Sequence, residues 1–375
     1  MDYSINNNNL LIEIHIADIH FGAMEPKTEY EILKEQFINQ IINLQRIDII
    51  SIDGDLFDHK MMANSDGIRY AVQFVDDVVN ICRLKNSTLI ILAGTLSHDA
   101  NMLKIFYYLM NDKTVDVRIV ESIRFEYIKG IRVLCIPELY GVDESIYKEF
   151  LFNSGWYDEC YIHGTYKGAV YGDNVGAGRL FKPEDFIYCL GMIISGHVHK
   201  PGCFSGYYYY TGCPIRYKFG EEEPKGYLLV THDLNTNIHY VEFEEITSFK
   251  YDTIYLDQLV SNDPKYIIDY IDKLKTEQHI DYIKIRFRFK IDNSNKTIIN
   301  NFYRNNPNVF VEYENDDIKQ KEEEIRNQYS GDNKYEYLLD NKISDLERFV
   351  MYVNENEQSE FITVDKLREL LEEVI

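Results

Sequence analysis

Five short segments carry residues suited to metal-ion chemistry: Asp18-Ile19-His20, Gly54-Asp55-Leu56-Phe57-Asp58, Ser97-His98-Asp99, His163-Gly164 and Gly196-His197-Val198-His199. Each places His or Asp just after a run that reads as a buried β-strand. Together they supply enough imidazole and carboxylate to hold two divalent ions side by side, an arrangement that hydrolyses phosphate esters. The one-residue spacing in Asp18/His20 and in His197/His199 lets both members of a pair reach one ion from a short loop. Gly54 allows a sharp backbone turn, and the two oxygens of Asp55 make it the candidate bridge between ions. Mixed imidazole and carboxylate donors suit manganese, iron or zinc, and the absence of Cys from the set argues against a structural zinc site. Singly, each piece has a bland reading: a surface or core histidine, or a β-turn at Gly54-Asp55. Their ordered placement after strands carries the signal. Among the other histidines, His15 reads as core, while surface roles are the default for His232, His239 and His279.

The elements that must position these groups alternate between strand and helix. Strands are expected over residues 10–17, 47–52 and 88–93, with helical spacing over 28–44 and 67–84. That repeat argues for α/β layers with the site at the carboxyl ends of the strands. From Arg118 onward strands become denser, over 131–136, 159–163, 191–195, 207–212, 226–231 and 238–242. A second sheet packed on the first, with helices outside, is the expectation. A boundary is expected near Ser248, giving a catalytic part over 1–248, a small α+β domain over 249–315, and a linker with a helical tail over 316–375.

The bulk of the chain narrows the class. Its 375 residues are 45% hydrophobic, and the net charge of -23 argues against a protein that simply coats nucleic acid. A nuclease stays possible, because bound ions and local patches set the potential at a site. No apolar run is long enough to span a membrane, and Met1 to Asn9 has no secretory pattern. Six scattered cysteines without a C-x-x-C pair fit reduced thiols, so a cytoplasmic location is expected, in a bacterium or in a phage host.

The ordered set resembles the calcineurin-like metallophosphoesterases, whose pattern is D-x-H, G-D-x-x-D, G-N-H-[DE], a His, and G-H-x-H. The resemblance covers roughly the first 245 residues. Within that superfamily the chain looks most like the SbcD-type nuclease subunit of double-strand-break repair complexes, bacteriophage versions included. That narrowing rests on Gly54-Asp55-Leu56-Phe57-Asp58-His59, on Tyr210-Thr211-Gly212-Cys213-Pro214-Ile215-Arg216 with Phe219-Gly220-Glu221 and Pro224-Lys225-Gly226 behind it, and on the small domain plus tail. The resemblance implies a two-sheet core and two divalent ions, manganese first, with magnesium, iron or zinc as alternatives. It implies Asp18, His20, Asp55, His163, His197 and His199 as ligands, His98 as the histidine acting on the phosphate, and Asp99 as the group orienting His98. One position departs from the pattern. Ser97 stands where the family has a ligating Asn, so the second ion is either held more weakly or completed by Ser97, Thr95 or water.

Two further patterns concern partners. In Tyr282–Lys290 the two-residue period puts Ile283, Ile285, Phe287 and Phe289 on one strand face and Lys284, Arg286, Arg288 and Lys290 on the other. That basic face is either a DNA-phosphate contact or an ordinary solvated face that neutralises nearby acids. In the tail, Leu338, Ile343, Leu346, Phe349, Leu367 and Leu371 recur at helical spacing and read as anchors for a partner. The resemblance suggests that partner is an SbcC-type coiled-coil ATPase, with the nuclease as a homodimer. The leading expectation is thus a metal-dependent DNA nuclease. A phosphatase or small-molecule phosphodiesterase, and a scaffold with a degenerate site, are the alternatives.

Overall fold

The computed structural model describes residues 9–99, 101–138, 144–153, 155–169, 180–221, 223–306 and 308–313. Its first strands are β1 (Leu10–Ile16), β2 (Ile49–Asp53), β3 (Thr88–Leu92), β4 (Asp116–Val120), β5 (Arg124–Ile128), β6 (Ile131–Ile136), β7 (Glu159–His163), β8 (Thr165–Tyr166) and β9 (Leu180–Phe181). They continue with β10 (Ile193–Gly196), β11 (Gly202–Phe204), β12 (Tyr208–Tyr210), β13 (Gly226–Asp233), β14 (Ile238–Glu245), β15 (Tyr251–Leu256), β16 (Tyr282–Phe287) and β17 (Val309–Tyr313). Two six-stranded sheets result, in the orders β14-β13-β1-β2-β3-β4 and β11-β12-β10-β7-β6-β5. The fold is mixed α/β, with two sheets packed on each other and helices outside, as the sequence predicts.

Neighbours β1, β2, β3 and β4 are parallel, as are β6, β7, β10 and β12. Parallel strands are covered on both faces, which is why every residue of β2, β3 and β7 is buried. On the outer face of the first sheet, Ile14, Ile16, Ile50 and Ile52 meet Leu33, Phe37, Phe74 and Val78 from the helices. The helix Asp66–Lys85 begins at Ser65, whose hydroxyl accepts from the Ile68 amide, and ends at Asn86 in the left-handed conformation. The helix expected over 28–44 runs from Pro26 to Leu33, then through a π-helical turn Lys34–Ile38 into Asn39–Ile41. Between the sheets, Leu11, Ile49, Ile90 and Leu92 pack on Ile131, Val133, Cys135 and Tyr161.

The described chain divides into two compact units, one running to Thr253 and including Asp272–Lys284, the other comprising Ile254–Ile271 and the described residues from Ile285 on. A three-stranded sheet has the order β15-β16-β17. Its region holds two helices, Pro264–Glu277 and Asn293–Tyr303. The tail anchors Leu338, Ile343, Leu346, Phe349, Leu367 and Leu371 lie outside the described residues. Among the described residues no helix is long and apolar enough to cross a membrane.

Candidate metal centre

The carboxyl ends of β1, β2, β3, β7 and β10 meet in one crevice, within the first unit. The loops after β1 and β2 are zipped together: the Asp18 amide donates to Gly54 O, His20 to Asp55 O and Phe21 to Leu56 O, each at 3.0 Å. Asp18, His20, Asp55 and His197 all adopt positive φ, at 53°, 55°, 51° and 83°. Such backbone costs on the order of 1–3 kcal/mol per non-glycine residue and persists only where the surroundings over-determine it. Here it turns the side chains into the crevice. Gly54, at φ 95°, has a second constraint, since a Cβ there would lie 2.1 Å from His163 Nδ1.

The candidate ligands form two groups around Asp55. His20 Nε2 faces His199 Nε2 at 3.0 Å, and Asp18 shares their pocket. His163 and His197 stand edge to face with ring centroids 5.1 Å apart, joined by Glu138. The Asp55 carboxylate lies between, with Oδ2 at 3.3 Å from His163 Nε2 and 4.0 Å from His20 Nε2. Both Asp18 oxygens accept from the His197 amide, at 3.0 and 2.9 Å.

These donors fit divalent cations. Two imidazole nitrogens facing each other at 3.0 Å is an arrangement that a shared cation explains. The His163 Nδ1–H donates to Asp53 O at 2.9 Å, which leaves the Nε2 lone pair for an ion. His199 Nδ1 is 3.4 Å from Glu221 Oε1, fixing that ring in the same way. Burial pushes His20 down to about 3 and His197 down to about 4, against the pull of Asp55, so both keep lone pairs at neutral pH. Burial also disfavours charge on His163, but the Asp55 carboxylate outweighs it and lifts that imidazole to about 10. Burial would raise Asp55, yet His163, His20 and His98 hold it well below the usual carboxylate range. The pair thus marks a spot where positive charge is favoured, and a bound metal would take the place of that proton.

The segment after β3 differs from expectation. Ser97 is exposed. Thr95 occupies the spot instead: its amide donates to Asp55 Oδ1 at 2.5 Å, and its hydroxyl lies 3.1 Å from Asp55 Oδ2 and 3.4 Å from His163 Nε2. A four-residue helix, Leu96–Asp99, buries Asp99 and leaves Ser97 exposed. Asp99 does not orient His98 either. Its carboxylate accepts from the Gly94 amide at 2.8 Å and the Phe57 amide at 3.2 Å, tying the β3 loop to the β2 loop. Burial, helped by the Asp55 charge, lifts this carboxyl to about 7. His98 is held by the Asp58 carbonyl, which pairs with its Nδ1, and its ring packs edge-on against His20 at 4.8 Å.

Four supporting residues had no role assigned from sequence. Glu138 stands two residues after β6, the same acid-after-strand signal that identified the others. Asp58 lies in the Gly54–Asp58 segment, with Oδ1 3.9 Å from His20 Nδ1. Glu221 and the buried Lys225 belong to the segment after Arg216, where Lys225 Nζ donates to His199 O at 3.3 Å and to Glu223 at 3.0 Å.

The basic strand is mostly engaged by its own surroundings. Ile283, Ile285 and Phe287 are buried, and β16 ends at Phe287, before Phe289. Arg286 Nε donates to Glu312 Oε2 at 2.5 Å, and Arg288 lies 3.7 Å from Asp257 and over the Tyr255 ring. Lys284 sits over the Phe219 ring at 5.0 Å, and Lys290 is exposed.

Comparisons with known proteins agree with the chemistry at a coarse level. No protein-family profile matches the chain. The chain is 24% identical over 222 residues, 58% of its own length and 74% of the relative's, to "Putative phosphoesterase 244L" of Invertebrate iridescent virus 6. A solved crystal structure covering 63% of this chain and all of its own matches at 12% identity with a TM-score of 0.41, a likeness too slight to carry weight. The chain is similar to a phosphoesterase, and its His/Asp/Glu clusters are compatible with a metal site.

Proposed function

We propose that the protein is a divalent-metal-dependent phosphodiesterase acting on DNA, the nuclease subunit of an SbcC/SbcD-like end-processing complex. The observation that carries the hydrolase reading is the convergence of Asp18, His20, Asp55, His163, His197 and His199 around one crevice, with facing imidazole nitrogens and a central carboxylate. The specificity for DNA and for an ATPase partner rests on the sequence resemblance.

Asp18, His20 and His199 would hold one ion, His163 and His197 with Glu138 the other, and Asp55 would touch both. Ions bound there supply Lewis acidity toward the phosphoryl oxygens and a nucleophile from water at neutral pH. The chain's own residues do the rest. Thr95 steadies the Asp55 carboxylate through two hydrogen bonds. His98, fixed through Nδ1 by the Asp58 carbonyl, has Nε2 for a phosphate oxygen and can give a proton to the leaving oxygen as the P–O bond breaks.

The test sets linear DNA beside a chromogenic phosphodiester, each with Mn²⁺. Cleavage of both is expected, and His98→Ala should lower both rates by on the order of 10²–10⁴ with metal content unchanged by elemental analysis. Diester hydrolysis without DNA cleavage would reduce the reading to a small-molecule phosphodiesterase. For the partner, truncation after Gly331 should leave diesterase activity and melting temperature intact while abolishing co-purification with an SbcC-type ATPase. Complex formation by the truncated chain would remove the docking role from the tail.

A further inference from the structure

We infer that the chain holds a third divalent cation, zinc by its chemistry, between the two sheets, on Glu13, Glu159, His232 and His239. The four come from both sheets: Glu13 from β1, His232 from β13 and His239 from β14 of the first, and Glu159 from β7 of the second. His232 and His239 are directly paired across β13 and β14, and their rings stack at 3.8 Å. Their nitrogens converge on one carboxylate oxygen, with His232 Nδ1 2.7 Å and His239 Nε2 2.8 Å from Glu159 Oε1. Glu13 Oε1 is 4.0 Å from the same His232 Nδ1. Zinc–nitrogen and zinc–oxygen bonds of about 2.0–2.2 Å place tetrahedral ligand atoms roughly 3.3–3.6 Å apart, so an ion would open the 2.7 and 2.8 Å contacts and close the 4.0 Å one.

Three observations point to an ion beyond a mere polar cluster. First, Glu13 is fully buried and its Oε1 lacks a hydrogen bond, although it faces His232 Nδ1 at 4.0 Å. A buried unmet acceptor costs about 1–3 kcal/mol, and one aimed at a cluster of imidazoles and a carboxylate is what a ligand set without its ion presents. Second, the groups around the cluster orient it for a cation. The far nitrogen of His232, Nε2, donates to Asn237 Oδ1 at 2.8 Å, so an ion that displaces the proton between Nδ1 and Glu159 would meet a ring already fixed in the ligating tautomer. Tyr161 OH lies 2.9 Å from the other oxygens of Glu13 and Glu159, holding both carboxylates in place. Third, room is kept for the His239 ring, because a Cβ at Gly191 would come within 2.5 Å of His239 Cε1.

The donor types agree, since two-His, two-carboxylate sites suit zinc. The site is distinct from the catalytic crevice but linked to it. His15 joins Glu13 at 3.3 Å to Asp53 at 2.9 Å, and the Asp53 carbonyl holds His163. The ion would therefore pin β7 to the β1–β13–β14 edge, behind the catalytic ligands.

The experiment loads the metal-free, full-length chain with Zn²⁺, desalts it, and counts metal per chain by elemental analysis. A variant with Asp55→Asn and His199→Ala, disabled in the crevice, should still retain about one equivalent, and Zn²⁺ should raise its melting temperature. Adding His239→Asn should remove that equivalent. Should this last variant fail to fold by circular dichroism, Co²⁺ bound to the crevice-disabled variant replaces it, and the intense visible bands of a four-coordinate ion are expected. A crevice-disabled protein that is folded yet retains no zinc, and whose melting temperature Zn²⁺ leaves unmoved, would overturn the inference, as would weak six-coordinate Co²⁺ bands.

Discussion

The crevice and the seam between the sheets use the same residue types, Asp or Glu with His, and both are largely buried. They differ in backbone. The crevice residues Asp18, His20, Asp55 and His197 lie beyond strand ends at positive φ, whereas Glu13, His15, Glu159, His232 and His239 sit within regular strands. Strained loops can aim side chains at a reacting centre and leave one side open. Regular strands project side chains at a fixed two-residue period, which suits a filled, load-sharing cluster. Chemically similar sets are thus told apart by the conformation that presents them, and their substitution should have different consequences.

The largest expected difference concerns Asp55. Asp55→Asn should lower diester hydrolysis by on the order of 10³ or more while the chain stays folded with a modest fall in melting temperature, because His163, His20 and His98 favour the ionised carboxylate that is removed. A parallel loss of folding would make the crevice a structural element like the seam. Next is the support of His199. Glu221→Gln should weaken metal affinity about 10–100-fold without unfolding the chain, read by metal titration. Unchanged affinity would mean that the 3.4 Å contact does not position the ring.

The remaining effect lies in the seam and depends on pH. Burial, with the neighbouring Glu159 charge, lifts the Glu13 carboxyl from 4.5 to about 7. A raised carboxyl favours the protonated fold, so its contribution is fully present below about 4.5 and is lost as pH rises through about 7. In metal-free protein, stability should therefore fall by up to roughly 3 kcal/mol over that window, and Glu13→Gln should flatten the curve in chemical denaturation. An identical slope in both proteins would show that Glu13 is not the group that titrates.

Much of the crevice was legible in the chain because its signal is local. A ligand directly after an apolar run, such as Asp18 after Leu10–Ile16 or His197 after Ile193–Gly196, needs only the strand to be recognised. The central strands of both sheets were legible for the same reason, since burial on both faces writes a continuous apolar run, whereas the edge strands β4, β5 and β11 were not expected. The sequence could not decide which residue of Thr95-Leu96-Ser97-His98-Asp99 faces Asp55, because the answer depends on a single helical turn that leaves Ser97 exposed and turns Asp99 toward the Gly94 and Phe57 amides. Nor could it reveal the seam. His232 and His239 look like ordinary residues of alternating strands, and only the packing of β7 against β13 and β14 brings Glu159 within 2.7–2.8 Å of both. Local order along the chain determined the ligands of the crevice. Contacts between residues far apart in sequence decided their supports and the polar seam, because a strand specifies which face a side chain takes but not what the opposing sheet will place there.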